Sequence, residues 1–185
     1  MSMHTINLEN LVSNAYYCKK NFSYDQYVNQ TVDLIYQGFF NFDIDGGPVI
    51  DKYRDRYPDP AFTIVHNYVA FFVYNDGNLY RNEYDTYCKL CDKCGHKFFS
   101  PDDLTNHRQK LTAEDFRGTA SFIRLLREHV NESFFQNFIY GIIMLSLMDT
   151  GEFRESAYTL IQAVLSPNFD NCPSYNTLMA SVYKW

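Results

Sequence analysis

One short segment constrains this chain more than any other: residues 88–107, which read CKLCDKCGHKFFSPDDLTNH. Cys88, Cys91 and Cys94 stand three residues apart, and His107 follows thirteen residues after Cys94. Two cysteines separated by two residues let both thiolates bind one ion from a tight turn, and zinc prefers four tetrahedral sulfur and nitrogen ligands. The segment therefore predicts a metal site.

The residues that follow the cysteines favour zinc. Phe98 stands four residues after Cys94, and Leu104 stands ten residues after it. With these residues the segment resembles a partial C2H2 zinc finger, in which a Phe and a Leu form the miniature core and a histidine comes from the helix. The resemblance implies a small ββα unit with Cys91, Cys94 and His107 as zinc ligands.

The fourth ligand departs from the finger pattern, because positions 111–113 hold no histidine. Cys88 is the nearest substitute and is predicted to close the site. Four protein ligands would make the zinc structural, with no open position for a catalytic water. The alternatives for the fourth ligand are His96, His129 and Cys172.

A different metal centre stays open. The Cys-x2-Cys-x2-Cys run, together with the distant Cys172-Pro173, resembles the cluster-binding pattern of bacterial ferredoxins. In that pattern the last cysteine precedes a proline and comes from far along the chain. This resemblance implies a [4Fe–4S] cluster held by Cys88, Cys91, Cys94 and Cys172.

Outside this segment the chain is predicted to be mainly α-helical. Ser23 with Gln26 forms a capping box, and Thr112 and Asn131 have the side chains that begin helices. The helix after Ser23 is expected to end at Gly38, and residues 41–60 are expected to form a loop or a short extended segment. The predicted architecture is a helical domain with a small zinc-finger-like ββα insert. Its parts are an N-terminal helical part (1–80), a zinc-binding insert (81–111) and a C-terminal helical part (112–185), together one compact domain.

Residues 61–74 are ambiguous between a helix and a strand. Asp59 and Pro60 are a cap and a first-turn proline, which favours a helix. The β-branched and aromatic content, followed by Asn-Asp-Gly at 75–77, favours a hairpin with residues 78–87. The helix is the preferred interpretation, and the hairpin stays open.

Composition argues against a general nucleic-acid binder. The formal net charge is −6, whereas nonspecific affinity for phosphates comes from Lys and Arg. Finger positions that would read bases hold Ser100, Asp103 and Asn106, which offer no bidentate contact to guanine. Binding of nucleic acid through the finger and the neighbouring Arg124 and Arg127 remains an alternative.

No membrane segment is expected. The most apolar run, residues 133–148, is shorter than the roughly 18–20 residues that a bilayer needs. It also contains Gln136 and Asn137, so it is predicted to be a buried core helix. The first residues lack the pattern of a signal peptide. Five cysteines, three of them clustered, fit a reducing compartment, so an intracellular location in cytoplasm or nucleus is expected.

The expected function is non-enzymatic. The chain contains no Gly-rich phosphate loop, no nucleophile elbow and no zincin motif. Its wealth of Asn, Asp, Tyr and Phe makes it loosely similar in style to accessory and late-expression proteins of baculoviruses. This similarity implies an accessory or regulatory protein that binds other proteins in viral transcription or replication inside a host cell. The sequence leaves the oligomeric state open.

Overall fold

The computed structural model describes residues 6–74, 77–166 and 172–185. Within these ranges the chain forms ten α-helices and no β-strand. The helices are α1 (Leu8–Asn21), α2 (Tyr24–Asp45), α3 (Gly47–Arg54), α4 (Pro60–Val73), α5 (Arg81–Lys93), α6 (Pro101–Lys110), α7 (Ala113–Arg127), α8 (Glu132–Ser146), α9 (Glu155–Leu165) and α10 (Tyr175–Ala180).

Side-chain caps explain where several helices begin. The Ser23 hydroxyl accepts a hydrogen bond from the Gln26 backbone N–H at 3.2 Å, and the Gln26 side chain accepts one from the Ser23 N–H at 3.0 Å. This pair confirms the predicted capping box before α2. Thr112 and Asn131 likewise cap α7 and α8, as predicted.

Asp59 decides between helix and hairpin for residues 61–74. Its carboxylate Oδ1 accepts a hydrogen bond from the Phe62 N–H at 3.1 Å, and Pro60 occupies the first turn. The helix interpretation is therefore confirmed, and the hairpin alternative is wrong. The turn that was predicted at 75–77 lies partly outside the described residues.

The predicted ββα insert at 81–111 is wrong, because this stretch folds as α5, an irregular link and α6. The buried side chains of α5 recur at intervals of three and four: Glu83, Thr86, Tyr87, Leu90 and Cys91. Such spacing is typical of an amphipathic helix, and it overrides the strand that the cysteine spacing implied. A finger core also needs Phe98 packed inside, but Phe98 is 50% exposed.

Gly38 does not end α2, which continues to Asp45. A Cβ at Gly38 would lie 2.4 Å from Cδ1 of Phe138 on α8, so the missing side chain lets the two helices approach closely. Gly141 of α8 serves the same purpose, since its Cβ would lie 2.8 Å from Cγ1 of Ile35. The predicted loop at 41–60 instead contains the end of α2 and the whole of α3.

The core forms around the antiparallel pair of α2 and α8, with α4 packed against both. α4 is buried on nearly all sides, as an almost wholly apolar helix must be. One cluster of buried side chains includes Leu11, Leu90 and Ile142, which come from the three predicted parts of the chain. The apolar run 133–148 forms the core helix α8, as predicted. Among the described helices none is long and apolar enough to cross a membrane.

Candidate functional site

The cysteines of the predicted metal site lie on one helix. Cys88 and Cys91 are one turn apart on α5, and Cys94 is its C-terminal cap. Cys91 is buried, while Cys88 and Cys94 are half-buried. None of the five cysteines, all of which the structure describes, takes part in a disulfide.

The His107 side chain contacts residues of α4. Its Nε2–H donates a hydrogen bond to Oδ1 of Asn67 on α4 at 2.8 Å, and its ring centre lies 5.2 Å from that of His66. Within the described ranges no group of three or more His, Cys, Asp or Glu side chains is arranged to hold a metal ion. The zinc site of Cys88, Cys91, Cys94 and His107 therefore stays a prediction.

The alternative ligands lie apart. His129 is exposed and lies near Gly47. Cys172 lies near Arg127, whose charge partly offsets the burial that raises the pKa of Cys172, and near Tyr158, whose pKa it helps to raise. The structure thus places Cys172 beside α7 and α9 and not with the cysteines of α5. The iron–sulfur interpretation also stays a prediction.

Burial governs the chemistry of the α5 thiols. It raises the pKa of Cys91 to about 12, and the hydrogen bond from Tyr87 only partly opposes this. Burial also raises the pKa of Cys94 to about 12, with smaller contributions from the neighbouring Cys91 and Asp59. Both thiols are protonated at neutral pH, and a protonated thiol is a poor nucleophile. Their position at a helix C-terminus, the negative end of the macrodipole, disfavours thiolates further.

His66 is the centre of a buried polar network. The Tyr87 hydroxyl accepts a hydrogen bond from the Phe99 N–H at 3.0 Å and lies 2.7 Å from Nε2 of His66. Burial lowers the pKa of His66 to about 4, and the charge of His107 lowers it further. His66 is therefore neutral at pH 7, and its Nε2 shares a hydrogen bond with the Tyr87 hydroxyl.

His96 fastens the link between α5 and α6 to the start of α4. Its Nε2–H donates to Oδ2 of Asp59 at 2.7 Å, while the other Asp59 oxygen caps α4. The His96 ring also stacks on Phe62, with ring centres 3.8 Å apart and planes within 5°. A predicted candidate for the fourth zinc ligand is thus engaged with a carboxylate and an aromatic ring.

The rings around His96 continue through the buried Phe39 to α2. We define the aromatic row as Tyr36, Phe39, Phe40, Phe62 and His96. The centre of the Tyr36 ring lies 6.0 Å from that of Phe40 and 5.9 Å from that of Phe39, and Phe39 lies 6.2 Å from Phe62. These contacts lie within the range of favourable aromatic pairs. The row connects α2, α4 and the link that follows α5.

The α2 end of the aromatic row is open to solvent. Phe40 is 47% exposed, and Ile44, one helical turn further, is 58% exposed. Residues four apart share a helix face, so Tyr36, Phe40 and Ile44 form one stripe. The first part of the same face is polar, with Asn29 and Asp33. The exposed face of α2 therefore changes from polar to apolar along its length.

Ion pairs flank this stripe. Lys93 of α5 pairs with Asp33, and its Nζ lies 5.1 Å above the Tyr36 ring. At the other end Arg54 of α3 pairs with Asp43 at 3.4 Å. These pairs are half-exposed, so they contribute little to folding stability, but they give the two ends of the stripe a defined charge pattern.

The arginines of the nucleic-acid alternative are engaged inside the molecule. Arg124 donates a hydrogen bond to the Ala163 carbonyl, near the end of α9. Arg127 pairs with Glu132 and lies 4.7 Å above the Phe135 ring. These contacts hold both guanidinium groups against the protein. Nucleic-acid binding through them stays a prediction.

Sequence reasoning missed the aromatic row. Its signal was present, because Tyr36, Phe40 and Ile44 recur every four residues. Ending α2 at Gly38 cut that stripe in two. The contacts to Phe62 and His96 come from distant segments, so only the fold brings them together.

Comparisons of the chain with protein-family models, curated proteins and solved structures find no match.

Proposed function

We propose that this protein is a non-enzymatic accessory protein that binds protein through the apolar stripe of α2 and the adjoining aromatic row. The observation that carries the proposal is the contiguous apolar face, in which Phe40 is 47% exposed and Ile44 is 58% exposed. Single exposed apolar side chains are ordinary, whereas a contiguous patch marks an interaction surface.

The exposed apolar area of this face does not contribute to folding, so its burial can stabilise a complex. Burying a Phe or Ile side chain stabilises by roughly 1.5–3 kcal/mol, in proportion to the area removed from water. Phe40 and Ile44 leave about half of their area in solvent, so a large part of that free energy is left for a partner. Aromatic residues near the centre of a patch are typical binding hot spots.

The ion pairs at the two ends of the stripe also fit a protein-binding surface. Lys93 with Asp33 and Arg54 with Asp43 stand at the two ends of the stripe. A polar rim around an apolar centre is the usual organisation of a protein interface. The rim charges would set orientation and the rate of association more than affinity.

Catalysis has less support among the described groups. The Cys91 and Cys94 thiols are protonated at neutral pH, because burial raises the pKa of each to about 12. His66 is enclosed, and its Nε2 is occupied by the Tyr87 hydroxyl. These two thiols are thus poor nucleophiles at neutral pH, and the His66 base is enclosed within the fold.

The test compares partners of the full chain and of a surface variant. The variant carries Phe40→Ser with Ile44→Ser, and the matched control is Leu125→Ser, because Leu125 on α7 is 48% exposed. Circular dichroism and thermal unfolding verify that each protein folds. Quantitative affinity capture from cells that express the chain then identifies bound proteins, copies of the chain included. We expect partners that the double variant loses and the control keeps; the same set with all three proteins would refute the proposal.

A further inference from the structure

A small cavity opens where the end of α1 meets the first turns of α2 and α5, at the opposite end of α2 from the apolar stripe. Its volume is about 170 Å³. A cavity of roughly 150 Å³ accepts a molecule of the size of benzene, with about six non-hydrogen atoms. The cavity therefore has room for a small molecule, and its lining determines which chemical class fits.

One half of the cavity lining is apolar. We define the apolar half as Phe22, Tyr27 and Met148. Tyr27 and Met148 are buried, and Phe22 is half-buried. The Tyr27 hydroxyl donates a hydrogen bond to the Met144 carbonyl, so the polar group of this side chain is satisfied in the core. This half therefore offers a ligand mainly apolar surface.

The rest of the lining is polar, and Lys19 is the one charged residue among the described residues that line the cavity. The Lys19 Nζ lies 5.3 Å from the centre of the Tyr27 ring. Within the described part of the chain this ammonium group has no acidic partner, unlike those of Lys93 and Lys184. The side-chain amide of Asn82 makes no hydrogen bond to a described residue either. The polar half thus presents a positive charge and an amide donor without an acceptor from the described residues.

Two carboxylates lie near the cavity without lining it. Asp25 and Asp85 both act on the hydroxyl of Tyr24, a residue of the polar half. Asp85 pairs with Arg81 at 3.8 Å, and Asp25 is exposed to solvent. The positive charge of Lys19 is therefore not cancelled within the cavity lining.

From this division of the lining we propose that the cavity binds a short-chain carboxylate of about six non-hydrogen atoms. The carboxylate pairs with Lys19 and accepts a hydrogen bond from the Asn82 amide, and the alkyl chain lies against the apolar half. Small-molecule sites combine apolar walls with a few polar groups that fix the orientation of the ligand. This inference goes beyond the proposed function, because it concerns a second site and a small molecule.

The two halves of the cavity together select this chemical class. Inorganic phosphate would pair with Lys19 but would leave the apolar half in contact with water. A neutral alcohol of the same length would cover the apolar half but would leave the ammonium group without a counter-charge. A carboxylate that carries a short alkyl chain satisfies both halves, because burial of apolar surface and a charge-assisted hydrogen bond each favour binding.

Titration of the isotope-labelled full chain with butanoate, followed by the NMR shifts of backbone amides, tests the site. A ligand this small is expected to bind weakly, with a Kd on the order of 1 mM. Saturable shifts should be confined to the lining residues. 1-Butanol and inorganic phosphate, at the same ionic strength, should each bind at least about tenfold more weakly. The absence of saturable shifts up to about 20 mM butanoate would overturn the inference, and so would equal binding of 1-butanol or of phosphate.

Variants of neighbouring lysines test the role of Lys19. Lys19→Met should weaken butanoate binding at least about tenfold, because it removes the charged hydrogen-bond donor and keeps a similar length. Lys20→Met is the matched control, because Lys20 is exposed and does not line the cavity, and it should bind as the wild type does. Lys19→Arg keeps the charge and should retain binding, and circular dichroism verifies that each variant folds. Unchanged binding in Lys19→Met, or an equal loss in Lys20→Met, would overturn the inference.

Discussion

Acidification should destabilise this protein through His66. The buried imidazole, 7% exposed, has a pKa of about 4 in the folded protein, because burial opposes its charged form. In the unfolded chain the ordinary value is about 6.5. The unfolded state therefore binds the proton more tightly, so the stability that His66 contributes is complete above pH 6.5 and is lost as the pH falls toward 4.

The size of this loss follows from the two pKa values. A difference of about 2.5 units corresponds to about 3 kcal/mol once the pH is below both values. At pH 5 the unfolded histidine is nearly all protonated and the folded one mostly neutral, which gives a loss of about 2 kcal/mol. The pKa of His107 is also lowered, chiefly by burial, so its contribution has the same sign.

Urea unfolding at a series of pH values between about 7 and 4 measures this loss. His66→Gln removes the titrating group and keeps an amide that can hydrogen-bond with the Tyr87 hydroxyl. Between pH 7 and pH 5 the free energy of unfolding of this variant should therefore fall by about 2 kcal/mol less than that of the wild type. His129→Gln, at an exposed position, is the matched control and should follow the wild type. Equal pH dependence in the His66→Gln variant and the wild type would refute the reasoning.

Three further results are expected. Gly38→Ala should destabilise by about 1–3 kcal/mol in urea unfolding, since its Cβ would lie 2.4 Å from an α8 ring; Gly118→Ala, with no atom within 4 Å of its Cβ, should not destabilise. Asp59→Ala should cost about 1–2 kcal/mol by removing the α4 cap, and Asp59→Asn should cost less in the same assay, because Asn also caps helices. The zinc prediction expects one zinc per chain by elemental mass spectrometry, lost in Cys91→Ser and in His107→Ala; full occupancy in the second variant would contradict the predicted ligand set.

Local signals predicted the starts of helices well. Ser23 and Asp59 act through backbone groups within three residues, so the information lies in the sequence beside them. Gly38 was misread because its role is set by Phe138, a hundred residues away. A glycine that ends a helix and one that admits a neighbouring helix look alike in sequence.

The expectation of a ββα unit in the cysteine segment was wrong for a related reason. The spacing of Cys91 and Cys94 suits a metal knuckle, but it equally places two residues one turn apart on a helix. The buried positions of α5 determine that this segment is helical, and their partners on α2 and α4 come from remote parts of the chain. The aromatic row was missed for the same reason, because only the folded chain brings Phe40 and His96 into one row of rings.

The double use of Asp59 has a consequence for local opening. One oxygen caps α4 through the Phe62 N–H, and the other holds His96, whose ring lies on the Phe62 ring. The link after α5 cannot lift away without disturbing the first turn of α4. Segments tied together in this way open as one cooperative unit. Amide hydrogens of that first turn and of the link should therefore exchange with solvent deuterium at a shared opening free energy, although about thirty residues of chain separate them.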